Sequence, residues 1–268
     1  MAACKACVSF VVCPVLAFSA GCASPAAIQA KVNSIEQRHG GTVVATNPLS
    51  RCYLFGNLPR LLDRIDRDLE RTPQFFKDNM GPVLIEESLL DNPATYPFPF
   101  LIRGYVDPNE EGRGFPVHVK NRSWLQKVVF FAPRDDELFL HEASHSFEFA
   151  IYTRHRDAWL AFLEEFEAAG GVSYLPSHIG PVAYSTVVSL MPPVGYLRVR
   201  GMPSLYGWLN HFEDFAETHC FLQRHGGEVE FLRDHDPALF SKCKAAARFV
   251  EGGHLEEAQL SPEPMDGP

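Results

Sequence analysis

The chain has 268 residues, 46% of them hydrophobic and 21 of them Phe, which is enough to build a large core and excludes a disordered polypeptide. Its 33 acidic and 24 basic residues give a net charge of −9 with no Lys/Arg cluster, so nucleic acid is excluded as a partner class. The length fits one large domain or two small ones, and the 11 histidines are a first pointer to metal chemistry.

Residues 1–21 read as a signal peptide of the lipoprotein type. Lys5 supplies the positive start, and residues 8–18 form an apolar run too short to span a bilayer as a permanent helix. Ser19-Ala20-Gly21-Cys22 follows and resembles the lipobox of bacterial lipoproteins, with Ser19 where a larger aliphatic residue is usual. That resemblance implies lipid attachment at Cys22, export, and a membrane anchor in the cell envelope. With Ala23 rather than Asp after the cysteine, it implies the outer membrane in a Gram-negative cell. An ordinary signal peptide cut near residues 20–23, followed by secretion, is the alternative.

Residues 22–41 are expected to be a tether running into a short helix at 26–38. The main domain is expected to cover 42–251. Within it, residues 42–46 are strand-like, and residues 58–69 place Leu58, Leu61, Leu62, Ile65 and Leu69 at helical spacing. Short β-rich runs at 82–87, 98–104, 116–119 and 127–132 are separated by Pro, Gly, Asn and Asp. They predict a small twisted sheet, mostly antiparallel or mixed. Asp135 or Asp136 is placed to cap the helix that follows.

That helix, expected over about 138–152, carries His141-Glu142-x-x-His145. Residues four apart share a helix face, so both imidazoles can reach one metal ion, while Glu142 lies one step round and can act on a metal-held water. The pentapeptide is short enough to arise by chance, so its companions decide. Glu148 reads as a surface group or as a neighbour of the ligands. A second helix is expected at 157–169, ending at Gly170-Gly171.

Residues 172–205 hold five prolines and no sustained period. A long irregular stretch inside a domain is usually functional, and it reads as walls or a lid over a cleft. An inserted surface loop is the other reading. Helices are expected again at 210–223 and 237–250, and residues 252–268 form a polar, Pro-rich tail expected to be disordered. Cys52, Cys220 and Cys243 remain after the leader; Cys220 with Cys243 is the preferred pair, and free buried thiols are the alternative.

A catalytic zinc site needs three protein ligands and an open position. The best source of the third is Tyr206-Gly-Trp-Leu-Asn-His-Phe-Glu213-Asp-Phe-Ala-Glu217. Glu213 and Glu217 share a helix face, so one can bind the metal while the other accepts a hydrogen bond from a ligand histidine. Asn210 and Glu213 also have the spacing of a capping box, in which case Glu217 or His219 would be the next candidate ligands. His211 and His219 point off the Glu213 face by helical phase.

His-Glu-x-x-His followed by Tyr-x6-Glu-x3-Glu is similar to the anthrax-lethal-factor-like metallopeptidases and the related Pro-Pro endopeptidases, which are gluzincins. The similarity covers roughly residues 127–221, and the Pro-rich stretch between the motifs is not matched. It implies an α+β, zincin-like metallopeptidase domain with a small sheet packed on the His-Glu-x-x-His helix and a helical C-terminal part. It implies Zn²⁺ held by His141, His145 and Glu213, with Glu217 bracing a ligand histidine. Glu142 would be the general base and Tyr206 the donor to the developing oxyanion. The expected activity is endopeptidase hydrolysis of an exported protein or peptide. A catalytically inactive protein of the same fold, serving as a binding module, is the alternative, against which the intact Glu142 argues.

Overall fold

The computed structural model describes residues 25–40, 44–46, 58–87, 104–106, 115–121, 138–170, 174 and 200–255. The expectations for residues 1–21, Cys22, Cys52, the 127–132 run, the Asp135/Asp136 cap and most of 172–205 lie outside the described residues, as does the tail beyond 255.

The first helix, α1 (Pro25–His39), buries Ile28, Val32, Ile35 and His39, at spacings of four, three and four. That apolar stripe belongs to the main core, so residues 25–39 are part of the folded body rather than a tether. Next come β1 (Val44–Thr46) and α2 (Leu58–Arg71), whose Leu58, Leu62, Ile65 and Leu69 repeat the same spacing against the same core. A short α3 (Gln74–Asn79) opens after Pro73 and buries Phe76.

Three further strands, β2 (Val83–Glu87), β3 (Gly104–Val106) and β4 (Val117–Asn121), complete a four-stranded sheet of order β1-β2-β4-β3. The sheet is mixed. β1, β2 and β4 run parallel, and β3 is antiparallel to β4. The register sets Val83 against Val117 and Ile85 against Val119. All four side chains are buried, as the period of two requires for one face turned to a core.

Beyond the sheet the described residues are mostly helical. α4 (Leu138–Arg154) carries the His-Glu-x-x-His motif and is buried along nearly its whole length, from Phe139 to Ile151. It touches β3 and β4 on one side and α5 (Arg156–Gly170) and α6 (His211–His225) on others. Ser146 ties it to the loops of the sheet: its hydroxyl donates to Phe115 O at 2.6 Å and accepts Gly81 N–H at 2.7 Å. A 3₁₀ turn, Tyr206–Leu209, leads into α6, and a second, Gly226–Glu228, leads into α7 (Val229–His235). α7 had no counterpart in the sequence reading, because two buried residues, Val229 and Leu232, are too few to show a period. α8 (Pro237–Val250) starts with Asp236 as cap and Pro237 in its first turn.

The centre of the core is aromatic. Phe162 and Phe249 stack with centroids 3.9 Å apart, and Phe76 stacks on Phe147 at 4.6 Å. Order continues past residue 251: Gly252 adopts φ 89° against the Phe75 ring, and His254 is buried. The preferred Cys220–Cys243 bridge is absent; both are buried thiols outside any disulfide.

Candidate metal centre

α4 and α6 cross so that His141, His145 and Glu213 meet. The His141 Nε2 to Glu213 Oε2 distance is 3.0 Å, His141 Nε2 to His145 Nε2 is 3.2 Å, and His145 Nε2 to Glu213 Oε2 is 3.4 Å. Zinc bound tetrahedrally at about 2.0–2.1 Å from each ligand would hold these atoms roughly 3.3 Å apart, so the donor set fits the ion. Among the described residues this is the group of three that can hold a metal.

Local sequence explains how Glu213 gets there. Asn210 is extended and caps α6, its side chain accepting Glu213 N–H at 3.0 Å. The cap uses only the backbone of Glu213, and its carboxylate turns to His141 instead of closing a capping box. Capping and metal-facing readings of the Asn210–Glu213 spacing therefore both hold, on different atoms.

Glu217, one turn further on, places Oε1 3.1 Å from His141 Nδ1. With Nδ1–H donated to that carboxylate, His141 presents the lone pair of Nε2 to the centre. Burial works to lower the His141 pKa, and Cys220, Glu213 and Glu217 outweigh it and hold it well above the usual value. Burial likewise raises Glu213, but His145 and His141 overcome it and keep the carboxyl well below the ordinary range. The surroundings thus favour positive charge at the meeting point of the three. His145 Nδ1 is buried without a hydrogen-bond partner among the described residues.

Tyr206 closes one side, its ring centroid 5.7 Å from that of His141. The negative charge of Glu213, then burial, raises its phenol well above the usual value, so it stays a proton donor. Glu142, His141, His145, Glu213 and Tyr206 line a cleft of about 330 Å³, shared with Val106, Phe149, Asn210 and Phe212. Phe149 lies four residues after His145 on the same helix face, a phase that the sequence displays.

Other titratable side chains near the motif play structural parts. His219 is fully buried, with Nδ1 2.9 Å from Ser144 Oγ and burial lowering its pKa to about 3. His211 packs on Phe212 and Trp159, and burial lowers it to about 4. Glu148 is not a surface group. It is completely buried, accepts Trp159 Nε1–H at 3.1 Å, and burial raises its pKa well above normal. Sequence reasoning missed Ser204, Asp236 and the buried Lys242–Asp214 pair, which carry no motif.

Comparison of the chain with protein-family models, with curated proteins and with solved structures finds no match. The arrangement of His141, Glu142 and His145 on one helix with a distal Glu213 is that of a generic His-Glu-x-x-His metal site, and its geometry is consistent with a zinc-protease centre.

Proposed function

We propose that the protein is a zinc-dependent endopeptidase with a zincin-like catalytic domain. The observation that carries this reading is the meeting of His141 Nε2, His145 Nε2 and Glu213 Oε2 within 3.0–3.4 Å, with Glu142 on the wall of the same cleft.

Zinc held by His141, His145 and Glu213 would supply Lewis acidity and would draw the pKa of a water from 15.7 toward about 7. Glu142 takes the proton from the attacking water and delivers it to the leaving nitrogen of the peptide. The Tyr206 hydroxyl donates to the carbonyl oxygen as negative charge develops on it, a contact typically worth about 3 kcal/mol. Glu217 holds the His141 tautomer through Nδ1. Among the described residues β3 is an edge of the sheet and its Val106 lines the cleft, so an extended peptide can pair with it beside the metal.

The setting is the cell envelope. Residues 1–21 serve as the export leader and Cys22 carries the lipid, a proposal supported by the Ser-Ala-Gly-Cys sequence. Cys22→Ala should then release the protein from membranes; an unchanged membrane fraction would remove the anchor.

The test of the activity is Glu142→Gln in an assay on a peptide library with product sequencing. Zinc should remain bound at the parental stoichiometry while cleavage disappears. Cleavage at the parental rate in this variant would overturn the mechanism.

A further inference from the structure

The segment that bears Tyr206 is anchored at two points. Gly201, at φ 80°, gives its N–H to both oxygens of Asp236 at 3.1 and 3.0 Å, and the same Asp236 caps α8. Three residues on, Ser204 is completely buried. Its hydroxyl proton goes to Glu217 Oε2 at 2.6 Å, and its oxygen accepts Tyr206 N–H at 3.2 Å.

Glu217 therefore has one oxygen on each of two partners, Oε1 on His141 Nδ1 and Oε2 on Ser204. One hydroxyl links the imidazole that faces the metal to the backbone of the residue that faces the oxyanion. We infer that Ser204 is a positioning residue that sets His141, through Glu217, and Tyr206 in register with each other. The inference rests on the metal site and the role of Tyr206 proposed above.

The chemistry requires such a link. A carboxylate with a single hydrogen bond can turn about its last torsion and carry the His141 N–H with it. A hydroxyl has one proton and spare lone pairs, so Ser204 can donate to the carboxylate and accept from the amide at once. The bond to the ionised Glu217 is charge-assisted and is the stronger of the two. Alanine at this position would free one carboxylate oxygen and leave the Tyr206 N–H unpaired.

The experiment is a double-mutant cycle on the full chain, reading zinc affinity by competition with a chelating dye. Ser204→Ala should weaken zinc binding about tenfold or more, the usual range for a group bracing a metal ligand. In a Glu217→Ala background the same change should cost less than about threefold, because its route to His141 is gone. Where peptide cleavage is measurable, Ser204→Ala should lower kcat at nearly constant KM, since Ser204 is not on the cleft wall.

Parental zinc affinity in Ser204→Ala, or an equal loss in both backgrounds, would overturn the proposal. If the alanine variant does not fold, Ser204→Cys keeps the volume with a weaker donor and should show a smaller loss in the same direction. A parent chain that binds no zinc sinks both this proposal and the proposed function. A parent that binds zinc but cleaves nothing sinks only the peptidase reading, and the affinity cycle still decides the role of Ser204.

Discussion

Asn210 accepts the backbone N–H of Glu213 at 3.0 Å, and this cap leaves the Glu213 carboxylate free to lie 3.0 Å from His141 Nε2. Start of helix and third arm of the candidate metal site are thus one local structure. Asn210→Ala should cost about 1 kcal/mol of stability in thermal unfolding, the ordinary value of a cap. It should also weaken zinc binding, because the first turn of α6 then frays. Glu213→Ala, in contrast, should leave the cap in place and remove zinc binding in a dialysis assay. Full zinc retention by Glu213→Ala would rule Glu213 out as a ligand.

Tyr206 separates binding from chemistry. It is absent from the three atoms that meet at the candidate metal site, yet it lines the cleft and keeps its proton. Tyr206→Phe should therefore hold zinc at parental affinity and lose about 10²–10³-fold in kcat on a cleaved peptide, the typical effect of deleting one oxyanion donor. A loss confined to KM would make Tyr206 a substrate contact instead.

How far the sequence displays the site depends on the distance over which its parts communicate. His141, Glu142 and His145 are one helical turn, and Tyr206 to Glu217 is one turn and one helix, so spacing alone brings each half together. Likewise the 4-3-4 stripes of Leu58, Leu62, Ile65 and Leu69 announce α2. Strand pairing, the parallel course of β1, β2 and β4, and the position of β3 beside α4 depend on contacts remote in sequence and carry no local signal. Ser204 and Lys242 were silent for a related reason: a polar residue that ends up buried looks, in sequence, like any surface residue. Of the two readings open for Glu148, burial removes the surface one.

Asp68 gives a pH signature independent of the metal. It faces Arg224 at 3.9 Å, its Oδ2 makes no hydrogen bond among the described residues, and burial raises its pKa from 3.8 to about 6 against the pull of nearby arginines. Between these two values the folded chain keeps a proton that the unfolded chain has released. Its contribution to stability consequently falls as pH rises through about 4 to 6, then levels off. Asp68→Asn removes the titration. Its stability should equal that of the parent below pH about 4 and exceed it by about 3 kcal/mol at pH 7.5. Urea unfolding at the two pH values measures the difference; a gap that is constant with pH would contradict the assignment.

Directly behind Glu213, Asp214 accepts from Lys242 of α8 and from the Tyr174 hydroxyl, the latter at 3.0 Å. Lys242 and Asp214 are both buried, and the ammonium also lies 5.2 Å from the centre of the Phe166 ring. Lys242 reaches its partner by crossing Gly170, where a Cβ would come within 2.2 Å of Lys242 Cε. Gly207 borders the other side less tightly, its would-be Cβ 3.1 Å from Asp214 Cα. Breaking a buried pair by removing one partner leaves an uncompensated charge, so Lys242→Met should destabilise the fold by about 3–5 kcal/mol. Gly170→Ala should act in the same direction by pushing Lys242 aside, at about 1–3 kcal/mol for overpacking. The two changes act on one contact, so the double variant should lose clearly less than the sum of the singles. Additive losses in urea unfolding would show that Gly170 is required for some other reason than the passage of Lys242.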